Sequence, residues 1–178
     1  MKMGTDHVAG DFEDAFEDLP NTGIEVETHV HFGMAGSFPL RLAELFFADD
    51  GLHIVEYSYI TPMFGLGTKK HAREADAMQA VYDVHGIDEV LLQGDLVTWL
   101  GYDAVERVVV HEGGWLGRPK LTVYASADQS YAYRLHDEDD PATLAATIEA
   151  CGERYGFTVE TDPGVGFSPR ESVRRFFR

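Results

Sequence analysis

Apolar and polar residues alternate along IEVETHVHF, from Ile24 to Phe32. This period of two predicts a β-strand with Ile24, Val26, Val30 and Phe32 on one face and Glu25, Glu27, His29 and His31 on the other. LRLAELFFA at 40–48 reads as a second strand. Asp49-Asp50-Gly51 reads as a hairpin turn that supplies positive φ at low cost, and LHIVEYSYI at 52–60 as the returning strand. The period then changes. Thr68 is a candidate N-cap, Ala75, Met78, Tyr82 and His85 form a helical stripe, and Gly86 stands where a C-cap belongs. IDEVLLQ at 87–93 fits a short helix or a strand. Strand patterns return at LVTWL (96–100), VERVVVH (105–111), RPKLTVYAS (118–126) and SYAYRLH (130–136), with hairpin-sized connections between the later ones. Asp140 as N-cap, Pro141 at the first helical position and Leu144, Ile148, Cys151 and Tyr155 on one face predict a helix closed by Gly156. FTVE is a candidate final strand after it.

Two flanking segments differ in character. Phe12, Phe16 and Leu19 recur at helical spacing among acids, and Pro20-Asn21-Thr22-Gly23 stops that pattern. The tail SPRESVRRFFR holds a capping box from Ser168 to Glu171, with Val173, Phe176 and Phe177 on one side. The expected organisation is an acidic leader at 1–23, a single domain at 24–160 with an insertion at 61–94, and a basic amphipathic tail at 161–178. Its core is expected from Val26, Val30, Leu42, Ile54, Val108, Leu121, Val123, Leu135, Leu144, Ile148 and Cys151.

Seven strands, with a helix between the third and fourth and another after the seventh, resemble pleckstrin-homology-like domains. The resemblance is best from Leu96 to Tyr155, where YDAVERVVV, KLTVYA, YAYRL and the helix succeed each other as in bacterial and GRAM-like members. It implies an α+β fold: an antiparallel β-barrel with an inserted helix and a C-terminal capping helix. The likeness is architectural and carries no functional motif. Members that bind phosphoinositides use basic residues around the loop between the first two strands. Here Gly33 to Pro39 contains no Lys or Arg, with only Arg41 beyond, so no phosphoinositide is expected.

Composition narrows the class. The 178 residues are 44% hydrophobic, enough for a core and against global disorder. No apolar run approaches the roughly 20 residues of a membrane helix. The first residues lack the apolar stretch of a secretory signal, so a soluble cytoplasmic domain is expected. Thirty-one acids against 14 Lys and Arg give a net charge of −17, and the acids are spread along the chain. Only Lys2, Lys69, Lys70 and Lys120 are lysines, and acid excess with scarce lysine resembles the proteins of extreme halophiles. Such a field repels nucleic acid and anionic membranes at low salt, so neither is an expected partner. Cys151 is the lone cysteine, which excludes an intrachain disulfide and a four-cysteine zinc site.

The remaining candidates are local. Trp115 and Leu116 beside Arg118 form the aromatic and Arg combination that interface hot spots favour. Arg174, Arg175, Phe176 and Phe177 could meet a partner or, as expected here, dock on the protein's own acidic leader; membrane contact is not expected. Thr68, Lys69, Lys70 and Arg73 gather cations at a helix start and could hold an anion, although GLGTKK lacks phosphate-loop spacing. His29 and His31, two apart on a strand with Glu25 and Glu27 nearby, are an alternative divalent-metal site; a solvated polar strand face accounts for the same alternation. No G-x-S-x-G or H-E-x-x-H occurs, and Cys151 sits on an apolar helix face as a small hydrophobe. The expected function is therefore a non-enzymatic module that binds a protein or peptide, without a cofactor. The alternative is a small-ligand-binding protein or enzyme with a pocket of histidines and acids at a barrel mouth.

Overall fold

In the computed structural model, which describes residues 23–35, 40–59, 68–113, 118–136 and 140–164, the period-two segments become strands. They are β1 (Val26–Ala35), β2 (Arg41–Ala48), β3 (Gly51–Tyr59), β4 (Leu96–Leu100), β5 (Val105–His111), β6 (Lys120–Ala125), β7 (Gln129–Leu135) and β8 (Thr158–Asp162). Two helices accompany them, α1 (Thr68–Gln93) and α2 (Pro141–Tyr155), with a short 3-10 turn at Tyr102–Ala104. The strands form one eight-stranded sheet in the order β4-β3-β2-β1-β7-β6-β5-β8. Every neighbouring pair is antiparallel except β5 and β8, which run parallel.

This order corrects the expected barrel. The sheet is open, with β4 at one end and β8 at the other. Closure would need the outermost strands to pair. Instead α2 crosses over and delivers FTVE beside β5, as a parallel crossover requires. α2 is thus a connection packed on the sheet rather than a cap on a barrel mouth. Its signals are met: the Asp140 carboxylate accepts from the Thr143 N–H at 3.1 Å, Pro141 opens the helix, and Gly156 closes it at φ 91. Leu144, Ala145, Ile148, Cys151 and Gly152 are its buried residues.

Two cores result, one on each face. Val30, Leu45, Phe47, Ile54, Val108, Val110, Leu121 and Val123 join the buried face of α2. Across the sheet, Leu42, Phe46, Val55 and Tyr57 pack against Met78, Ile87 and Val90 of α1. Ten of the expected core positions are buried, and Val26 is half-buried.

β1 departs from simple alternation. Its pairing with β2 shifts between Val26 and Thr28 and again between Val30 and Gly33, and Phe32 adopts φ 50. Each bulge adds one residue and turns the rest of the strand over to the other face. Val26 and Phe32 therefore pack with the α1 core, and Val30 with the α2 core. IDEVLLQ is helical and continues α1 past a kink at Gly86, whose φ of 75 and ψ of −170 break the helix without ending it. The leader at 1–22 and the tail at 165–178 lie outside the described residues.

Candidate functional site

The bulges leave His29 and His31 on the α1 side of β1, where β2 contributes Glu44 and β3 contributes Tyr57. Three donors converge on one carboxylate. His29 Nε2 lies 2.8 Å and His31 Nδ1 2.9 Å from Glu44 Oε2, while the Tyr57 hydroxyl donates to Oε1 at 2.5 Å. An ionised carboxylate only accepts, so both imidazoles present an N–H to it. The His29 ring stacks on Phe46 at 4.3 Å and meets Tyr82 of α1 at 4.7 Å, which fixes its plane.

Glu44 is fully buried, at 0% exposure. Burial pushes its carboxyl upward, but hydrogen bonds from His29 and His31, the charge His31 can carry and the Tyr57 hydroxyl outweigh that and hold it below the usual carboxylate range. Burial, and then the negative charge of Glu44, push the Tyr57 phenol far upward, so it stays a neutral donor. One ring nitrogen each of His29 and His31 and a Glu44 oxygen all lie within 4.8 Å of one another, the arrangement of a three-ligand divalent-metal site. An ion at about 2.1 Å from tetrahedral ligands holds them about 3.4 Å apart, so ligation requires each imidazole to move back from the Glu44 oxygen by about half an ångström. A cleft of about 430 Å³ lies beside it, lined by Ile24, Val26, Tyr82, Asp83, Gly86 and Ile87, and shares Tyr82 with the cluster.

The carboxylate is not the one the sequence pointed to. The Glu25 backbone N–H bonds Asp49, and Glu27 faces α2, accepting from Tyr155, Arg154 and the Cys151 thiol. Glu44 carries a signal of its own: it is the one charged residue in the buried run Leu42-Ala43-Glu44-Leu45-Phe46-Phe47. A charge inside an apolar strand that is buried on both faces needs partners, and the histidines of the adjacent strand are its partners.

Other candidates stand apart. Lys69, Lys70 and Arg73 are exposed, and Lys70 pairs with Glu74 at 3.4 Å. Thr68 opens α1. Arg118 is exposed and donates to His136 Nδ1, whereas Trp115, Leu116, Arg174, Arg175, Phe176 and Phe177 lie outside the described residues. His53 pairs with Asp50 and His111 with Asp162, far apart in the sheet. Cys151 is buried beside Thr28, and burial raises its thiol, as expected of an inert cysteine. Among the described residues, no helix is long and apolar enough to cross a membrane.

No protein-family model matches the sequence, and neither does any curated protein. Among solved structures, the hSac2 domain of the human phosphoinositide phosphatase Sac2 is similar over 90% of both chains, at 8% identity and a TM-score of 0.44. A likeness at that level carries no argument about function.

Proposed function

We propose that this chain is a divalent-metal-binding domain, with His29, His31 and Glu44 as ligands and Tyr57 orienting the carboxylate. The supporting observation is the meeting of both imidazoles on one fully buried Glu44 oxygen, at 2.8 and 2.9 Å. Neutral imidazoles and a carboxylate suit zinc and the neighbouring transition ions, and three protein ligands leave a position open for a water or small molecule. To bind an ion through the nitrogen that faces Glu44, each imidazole would pass that nitrogen's proton to its other ring nitrogen or release it to solvent. Tyr57, bonded to Oε1, leaves Oε2 for the ion, in the manner of outer partners that orient ligands.

The test is titration of chelator-treated full-length protein with Zn²⁺ and Co²⁺ in 1 M KCl, where non-specific attraction to the acidic surface is screened. One equivalent is expected, with an intense visible Co²⁺ spectrum, and His29→Ala, His31→Ala or Glu44→Gln should each weaken binding at least 100-fold. Stoichiometry and spectrum unchanged in all three variants would refute the assignment.

Binding of a protein or peptide through Trp115, Leu116 and Arg118 stays a separate proposal. It is supported by the residue types and by the exposure of Arg118.

A further inference from the structure

Among the described residues, one end of the sheet is bare. β4 pairs with β3 in an unbroken register from Leu52–Leu100 to Glu56–Leu96, and no described strand lies beyond it in the sheet. Natural sheets guard such an end with a charge, a proline or a bulge. β4 has none of these. Its residues Leu96-Val97-Thr98-Trp99-Leu100 carry no charge on a chain with 31 acids. Leu96 is 46% exposed, Val97 39% and Trp99 57%. Asp95 and Asp103 lie on either side of this uncharged stretch.

We infer that β4 is a self-association edge: two copies pair their β4 strands antiparallel about a two-fold axis at Thr98, joining two sheets into one. A two-fold axis normal to the sheet sets like face against like face, so opposing residues have the same parity. Centring on Thr98 places Val97 against the second copy's Trp99 and Leu96 against its Leu100. Asp95, next to the strand, then faces Gly101 rather than an acid. Centring on Trp99 instead sets Val97 against Gly101 and Leu100 against Thr98, and centring on Val97 sets Leu96 against Thr98 and Asp95 against Trp99. Only the register centred on Thr98 sets all four apolar residues of the strand against apolar partners.

Charge also selects the occupant. A chain at −17 repels a copy of itself almost everywhere, and β4 is a stretch where two copies meet without opposed carboxylates. A basic or acidic peptide finds no counter-charge on this strand, whereas a second copy brings the same uncharged, apolar surface. Five paired residues span about 17 Å. A contact confined to two five-residue strands is small beside the interfaces of stable complexes, which bury roughly 1,200–2,000 Å², so the dimer should be weak. This inference is independent of the metal site.

The experiment is sedimentation velocity on the full chain in 1 M KCl, from about 1 µM to about 1 mM, with amide exchange measured at 96–100. A monomer–dimer equilibrium is expected, with protection of the β4 amides rising as protein concentration rises. Val97→Lys and Trp99→Glu, both at exposed positions, should each weaken association at least tenfold while leaving the melting temperature of the monomer unchanged. A monomer at every concentration would overturn the inference. So would a dimer that both variants form as strongly as the parent chain, or β4 protection that ignores concentration.

Discussion

Among single residues, the titratable groups inside this fold divide by whether their surroundings favour or oppose the charged form. Glu44 has three donors and remains ionised although buried. His136 is the opposite case. Burial, then the positive charges of Arg118, Arg134 and His71, push its imidazole down to about 4, and its Nε2 is buried with no hydrogen-bond partner among the described residues. The unfolded chain returns it to about 6.5. Between those values the unfolded state binds a proton that the folded state refuses, so stability falls as pH drops from about 6.5 towards 4. His136→Gln should remove this component. Urea melts at pH 7 and pH 4.5 are expected to show a smaller loss on acidification in the variant than in the parent, and equal losses would refute the shift. The site was half legible at this scale. The histidines and their common face could be read from spacing, but their acid could not, because Glu44 lies 13 residues from His31 and reaches it only through strand pairing.

Among the elements, local signals were faithful and pairing was not. The Asp49–Gly51 turn, the Asp140 cap with Pro141 and the Gly156 stop each act within a few residues, and all appear where the residue types require them. Gly86 reads equally as a stop and as a kink, because both need positive φ; the apolar Ile87 and Val90 just beyond it pack into the same core as Met78, and that packing continues α1. Nothing in FTVE announces that it will run parallel to β5, since that choice belongs to the crossover through α2. Two bulges in β1, invisible to a period-two reading, decide which core receives Val26 and Phe32. α2 should therefore carry much of the stability of its face. Ile148 is fully buried there, so Ile148→Ala is expected to cost about 2–5 kcal/mol in chemical denaturation, as large-to-small changes in packed cores do. A loss below about half a kcal/mol would mean that α2 is not an integral layer of the fold.

For the whole molecule, charge sets the conditions under which the fold survives. A net charge of −17 on 178 residues repels itself in dilute buffer, where the Debye length is about 30 Å at 0.01 M and surface carboxylates act on one another across the domain. Folding concentrates those charges against a net stability of only about 5–15 kcal/mol. At 1 M salt the Debye length falls to about 3 Å, which leaves only near neighbours in contact. Exposed pairs such as Arg107–Glu160 weaken under the same screening, but each is worth about 1 kcal/mol or less, so relief of the collective repulsion prevails. The melting temperature, measured at low protein concentration to limit association through β4, is expected to climb steeply between 0.05 M and about 0.5 M KCl. Screening is nearly complete by then, so any rise continuing beyond 1 M belongs to ion binding or to strengthened apolar burial, and replacing chloride by sulfate at equal ionic strength would separate the two. A melting temperature flat from 0.05 M to 2 M would show that the acidic surface is electrostatically neutral in effect, and with it the expectation of a halophilic protein would fall.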